Sequence, residues 1–284
     1  MKTKKLALTL FSGIALSCAV QPVHAQFFKK LKDKVNSTVD QKVDDILSGK
    51  KTSSGSNGAA QAASVSDNDK KFFEKAALAY NFTPGKTLIL EDNFSTDATG
   101  NMARLWKTSG SGSVEKFETL DGQWLSLNQY TTYKLKSDKA LPANFTIEFD
   151  IATHSNTDTD DLGNISFGFA HDNNATKFIS DAYNDNGIMS TEIRYSGKSI
   201  NNASSETKIN NTLDFPLSGY AIGKMHVAIL VKGETAQVYL DKVKVLDTPM
   251  FLKSTGNNFF YISAPFKLDH DARIGFSNFK LAAL

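Results

Sequence analysis

The sequence predicts an all-β protein: an antiparallel double-sheet β-sandwich, preceded by a short amphipathic helix and a flexible linker. Three observations carry that expectation. The segment Phe145-Thr-Ile-Glu-Phe-Asp-Ile151 alternates strictly, with Phe145, Ile147, Phe149 and Ile151 on one face and Thr146, Glu148 and Asp150 on the other. Similar short segments recur down to the C-terminus with turn residues between them. Between Ser48 and Asn68 the composition shifts to Ser, Gly, Ala, Asn and Gln, which separates the strand-rich region from what precedes it.

Residues 1–25 have the layout of a secretory signal peptide. Lys2, Lys4 and Lys5 precede an apolar run from Leu6 to Val20, and Val23-His24-Ala25 offers a small-x-small cleavage site. The run is too short to span a bilayer. The mature chain is expected to start at Gln26, exported to the periplasm or the outer membrane. Ala15-Leu16-Ser17-Cys18 approaches a lipoprotein box, but the leucine stands two places before the cysteine instead of three, so cleavage after Ala25 is favoured over lipidation at Cys18. Cys18 is the only cysteine. A mature chain without thiols has no internal disulfide, no thiolate nucleophile and no Cys-based metal site, so its stability rests on a hydrophobic core. The net charge of +2 and pI near 8.4 are too mild to argue for a nucleic-acid partner.

Residues 26–47 read as an amphipathic helix, with Phe28, Leu31, Val35, Val39, Val43 and Ile46 at three- and four-residue steps among lysines and aspartates. Such a helix suits peripheral contact with a membrane surface or pairing with another helix. Residues 48–69 form the linker, centred on Ser53-Ser-Gly-Ser-Asn-Gly58. Residues 70–85 hold a short helix from Lys70 to Tyr80, with Phe72, Phe73, Ala76, Leu78 and Tyr80 as apolar surface, ended by Pro84-Gly85. The sandwich then occupies 86–284.

Strands are expected at Thr87–Leu90, Ser113–Glu118, Trp124–Leu127, Thr132–Leu135, Phe145–Ile151, Ile165–Ala170, Glu192–Tyr195, His226–Val231, Ala236–Leu240, Val243–Leu246, Phe259–Ser263 and Arg273–Lys280. Asp121-Gly122 supplies one turn signal. Asp241-Lys242 joins two strands as a hairpin without a glycine.

Leu88-Ile-Leu-Glu-Asp-Asn-Phe-Ser95, Thr119-Leu-Asp-Gly-Gln-Trp-Leu-Ser-Leu127, Phe145–Asp150, Gln237-Val-Tyr-Leu-Asp241 and Arg273-Ile-Gly-Phe-Ser-Asn-Phe-Lys280 together resemble the concanavalin A-like jelly-roll superfamily. Their order and spacing are most similar to the laminin G-like sandwiches of Gram-negative envelope proteins, including those found ahead of an OmpA-like domain. The basic segment Phe27–Lys51 resembles the start of such proteins. The resemblance implies a jelly roll. The sequence runs to Leu284 without an OmpA-like segment, so cell-wall anchorage by that route is not expected.

The same superfamily includes glycoside hydrolases carrying Glu-x-Asp-x-x-Glu on one strand. Glu148-Phe149-Asp150 matches its first half, but Thr153 stands where the acid/base belongs. One of the two carboxylates that double displacement requires is missing. Glu148 and Asp150 then read as solvent-facing positions of a half-exposed strand. No serine-nucleophile elbow, zinc-protease or phosphate-loop motif occurs, and the histidines are scattered. No catalytic residues are assigned.

Two polar regions remain. Asn156, Asp158, Asp160 and Asp161 cluster in 154–164, and alternating side-chain oxygens suit calcium, a hard cation; the spacing is not that of an EF-hand. If successive strands run antiparallel, the long connection 197–223 emerges at the same end. It carries Asn201, Asn202, Asn210, Asn211 and Tyr220, amides and an aromatic face that suit a sugar. The leading expectation is a non-catalytic binding or adhesion module of the cell envelope, with a glycan or an envelope protein as partner. A glycoside-acting enzyme with an atypical site and a structural assembly protein are the alternatives.

Overall fold

The computed structural model describes residues 66–284, so the signal peptide, the helix at 26–47, Cys18 and nearly all of the linker lie outside the described residues. The described chain opens with helix α1 (Asp67–Leu78) and continues through fifteen strands. They are β1 (Thr87–Asp92), β2 (Trp106–Thr108), β3 (Gly112–Glu115), β4 (Trp124–Leu127), β5 (Thr132–Leu135), β6 (Asn144–His154), β7 (Asn164–Ala170), β8 (Gly187–Arg194), β9 (Ser199–Ser204), β10 (Asn210–Asp214), β11 (Ile222–Lys232), β12 (Thr235–Leu240), β13 (Val243–Pro249), β14 (Phe259–Ser263) and β15 (Arg273–Ala283).

Two antiparallel sheets form a sandwich. The first runs β13-β12-β11-β6-β15-β4-β3, with β1 also on the edge of β15; the second runs β10-β9-β8-β7-β14-β5-β2. The alternation of β6 is what pins the first sheet. Phe145, Ile147, Phe149 and Ile151 are fully buried, and Phe145 and Phe149 meet Phe169 and Phe167 of the second sheet edge-to-face at 5.5 and 5.3 Å. Each such buried ring contributes about 1.5–3 kcal/mol by leaving water, and a one-residue slip would turn all four to the solvent side. Along β15 the register shifts between Ser277 and Lys280, where Asn278 takes φ 54°. The bulge divides that strand's free edge: Gly275 and Phe276 pair with β4, whereas residues 279–283 pair with β1. On β7, Gly168 is required by space, since a Cβ there would sit 1.9 Å from the Met189 carbonyl oxygen.

Every expected strand is present, and the Asp241-Lys242 hairpin has left-handed backbone at both residues, φ 42° and 72°. Three strands escaped the pattern: β2, β9 and β10. The last two turn most of the expected long connection 197–223 into a hairpin. Their asparagine-rich sequences have low strand propensity, and pairing with β8 overrides it.

Helix α1 begins three residues earlier than expected, because Ser66 and Asp69 form a reciprocal capping box. Its Phe72 and Phe73 pack on Phe215, whereas Leu78 is 91% exposed. The following segment lies on the outer face of the first sheet. Tyr80 and Phe82 pack on Tyr239, Asn81 accepts the Tyr239 hydroxyl, and the Gly85 N–H donates to Thr146 Oγ1. Residues before Lys86 thus contribute to the packed domain.

Candidate functional site

The pairings bring the connections 109–111, 128–131, 155–163 and 264–272 to one end of the sandwich, where β6 finishes and β15 begins. Tyr130 and Phe266 come from two of these connections, and Phe178 comes from the segment 171–186 that crosses the second sheet. The Tyr130 ring lies 4.6 Å from Phe178 at an interplanar angle of 31°, and 5.0 Å from Phe266, edge-on. Tyr130 is 57% exposed and Phe266 72%. The Tyr130 backbone is left-handed, at φ 57°, an unfavourable state for a bulky side chain. Its N–H is secured by the Pro265 carbonyl at 2.8 Å. Here the fold holds a strained backbone and keeps a large ring in water, where nothing about folding itself gains from it.

The same two connections border an open cleft of about 520 Å3, lined by Gly110, Ser111, Ser126, Asn128, Gln129, Thr131, Leu268 and Arg273 among others. Gln129 Oε1 accepts the Leu268 N–H at 3.2 Å, which ties the two connections together and leaves the amide nitrogen's donors unused by that bond. Asn128 Nδ2 donates to Ser111 Oγ. The Arg273 guanidinium lies 4.6 Å over the Phe117 ring and donates to Glu115 Oε2 at 3.1 Å. An exposed aromatic cluster beside a cleft of amides and hydroxyls can stack one face of a ligand while donating to and accepting from its edge.

Of the residues first expected to bind sugar, the four asparagines lie on the hairpin β9–β10 and Tyr220 ends a 3-10 turn (Ser218–Tyr220) before β11. Asn202 is fully buried between the sheets, donating to the Val245 carbonyl at 3.0 Å and accepting from Thr191 Oγ1 at 2.8 Å. Asn201 Nδ2 donates to Asn210 Oδ1, the Asn211 carbonyl and Thr212 Oγ1. Asn210 and Asn211 are exposed, but at the start of β10, the end of that strand far from the loop end. Tyr220 is 3% exposed and its hydroxyl donates to Asp241, so its ring offers no face for stacking.

The acidic loop does not assemble as a calcium cage. Asp158 caps a single 3-10 turn (Thr159–Leu162) and accepts from Thr159 Oγ1. Asp161 accepts from Ser155, from Thr157 and from His270 Nδ1, the last at 2.9 Å, while Asn156 and Asp160 are exposed. Among the described residues no three His, Cys, Asp or Glu side chains gather as a metal-binding group. Local hydrogen bonds and one histidine engage the carboxylates of Asp158 and Asp161 instead. Asp92, at the end of β1, caps the turn that follows, accepting from the Phe94 N–H at 3.0 Å.

The carboxylates of β6 are also placed differently. Asp150 is 5% exposed, not solvated: it accepts from His226 Nδ1 at 2.8 Å, Asn278 Nδ2 at 2.8 Å and Lys224 Nζ at 3.1 Å. Burial alone would raise its pKa, but the His226 hydrogen bond and charge, with Lys224 and Asn278, bring it down to about 2. Burial likewise opposes the charged form of His226, and the bonds and charges of Asp150 and Glu148 overcome it, raising the pKa to about 10. Thr153 lies on the opposite face. The pairing of β6 with β11 runs without a shift from Asn144 to His154, so Thr153 points inward and donates to the Tyr220 carbonyl at 2.6 Å.

No protein-family model matches the chain, and no curated protein does. Among solved structures the chain is similar to the carbohydrate recognition domain of Emp47p, at 14% identity and a TM-score of 0.50, over 71% of this chain and 99% of that one. The carbohydrate-binding module CBM66 from Bacillus subtilis is also similar, at 16% identity and 0.42, over 63% and 96%. So is the exoplasmic/lumenal domain of VIP36 in its Ca2+-bound form, at 14% and 0.45, over 68% and 88%. The fold is a two-sheet antiparallel β-sandwich similar to that of the Emp47p domain. At these identities the likeness is one of fold, in agreement with the superfamily resemblance of the sequence.

The aromatic cluster was hidden from sequence reasoning. Tyr130, Phe178 and Phe266 are far apart in the chain, and each stands in a segment that carries no strand pattern. One weak signal was available: Gln-Tyr-Thr at 129–131 and Pro-Phe-Lys at 265–267 place a large aromatic among loop residues, where core packing does not require it.

Proposed function

We propose that this domain is a non-catalytic carbohydrate-binding module exported to the cell envelope, and that Tyr130, Phe178 and Phe266 with the adjoining cleft form its binding site. The observation that carries this reading is the meeting of three aromatic rings from three separate segments at the surface, one of them on a strained backbone. A pyranose presents a C–H face that stacks on such rings and hydroxyls that both donate and accept. Gln129, Asn128, Ser111 and Thr131 supply the matching groups along the cleft. Lectin-type neighbours support the same reading at the level of fold. Binding without turnover fits the carboxylates, since Asp150 is committed to His226, Lys224 and Asn278. The envelope location rests on the signal layout of residues 1–25.

The test is a glycan array on residues 66–284, followed by calorimetric titration of the best saccharide. Tyr130→Ala and Phe266→Ala should each weaken binding about tenfold, with melting temperatures near that of the parent. Titrations in calcium and in chelator should agree, because this site uses none of Asn156, Asp158, Asp160 and Asp161. A saccharide bound equally well by both alanine variants would move the site elsewhere; a protein captured through this patch would replace the saccharide as its ligand.

A further inference from the structure

We infer that the site selects an uncharged saccharide, and that Glu115 enforces this selection by occupying the cleft's arginine; the inference rests on the carbohydrate-binding reading above. Three cations and one histidine border the cluster and cleft. Each already has an acidic partner: Arg273 with Glu115 at 3.1 Å, Lys267 with Asp269 at 2.6 Å, His270 with Asp161 at 2.9 Å and Lys177 with Asp185 at 3.1 Å. The cleft's other polar lining consists of hydroxyls and amides from Ser111, Ser126, Asn128, Gln129 and Thr131.

Arg273 is the group an acidic sugar would need, because its guanidinium is built for a carboxylate or sulfate. Glu115 holds it on one side, Phe117 lies under it, and a further N–H bond goes to the Lys116 carbonyl at 3.2 Å. Glu115 is in turn fixed by the Ser113 hydroxyl. An incoming carboxylate would have to displace Glu115 or lie beside it, and either outcome costs binding free energy that a neutral hydroxyl does not. Hydroxyls meet no such conflict: they use the amides and the rings. Exposed paired charges also cancel at distance, so no long-range field draws an anion to this end.

The experiment compares two oligosaccharides of equal length and linkage, one of neutral hexoses and one of hexuronates, titrated into residues 66–284 at low and at high salt. The neutral ligand should bind with an affinity that salt leaves unchanged, and the acidic one at least about tenfold more weakly. Glu115→Gln, which frees Arg273, should raise affinity for the hexuronate about tenfold. If the hexuronate binds the parent as tightly as the neutral chain, and Tyr130→Ala abolishes both, the charge selection is overturned while the carbohydrate-binding reading stands. If neither chain binds, or both bind the alanine variants unchanged, reading and selection fall together. The salt dependence of the unaltered protein decides the question even if Glu115→Gln folds poorly.

Discussion

Replacing Asp150 with alanine tests what holds the outer face of the first sheet together. The carboxylate is 5% exposed and accepts from three donors, two of them cationic: His226 Nδ1 at 2.8 Å, Lys224 Nζ at 3.1 Å and Asn278 Nδ2 at 2.8 Å. Removing it strips the half-buried His226 Nδ1 of its partner and leaves the ring with Glu148, 3.6 Å from Nε2, as its acidic counterpart. Breaking a buried pair in this way costs about 3–5 kcal/mol. For a domain of roughly 200 residues, that is a fall in melting temperature of about 6–20 °C. The pH dependence has two limbs. Asp150, lowered from 3.8 to about 2, contributes stability that is present above the unfolded value and lost as pH falls toward 2. His226, raised from 6.5 to about 10, contributes stability that is complete below 6.5 and lost as pH rises toward 10. The melting temperature followed by circular dichroism should therefore be highest between those windows, with an alkaline decline that His226→Gln flattens. A melting temperature for Asp150→Ala within about 2 °C of the parent would refute the reasoning, as would an alkaline decline unchanged in His226→Gln.

Residues 86–284 alone should melt several degrees below residues 66–284, because that truncation strips Phe73 from Phe215 and uncovers the face of Tyr239; equal melts would show that α1 and the segment after it add nothing. Gly168→Ala should prevent folding or lower the melt by more than Asp150→Ala, since the new methyl meets the Met189 carbonyl on a paired strand, and soluble native-like expression is the readout that would contradict this. Asn202→Ala should cost about 1–3 kcal/mol by leaving the Thr191 hydroxyl and the Val245 carbonyl without a partner, while saccharide affinity stays constant; loss of binding without loss of stability would return the site to the β9–β10 hairpin.

Alternation along Phe145–Ile151 determined a half-buried central strand before any packing was known, because a period of two can satisfy only one apolar face. The same logic located β7, β11, β12 and β15, and the absent acid/base at Thr153 weakened the hydrolase reading without any coordinates. β9 and β10 were not legible, since Ser199-Ile-Asn-Asn-Ala-Ser204 forms a strand through its partners and not through its own propensity. Sequence also could not tell which asparagine is solvated. Asn202 and Asn201 are neighbours in the chain, yet alternation sends Asn202 between the sheets and keeps Asn201 on the outer face. Tyr220, an aromatic in a polar stretch, looked available and is buried. The meeting of Tyr130, Phe178 and Phe266 was decided by tertiary structure alone, for a general reason. Local pattern records which face of an element avoids water, whereas a surface site is assembled by the pairing order of strands that are distant in the chain, and that order leaves no period in the sequence.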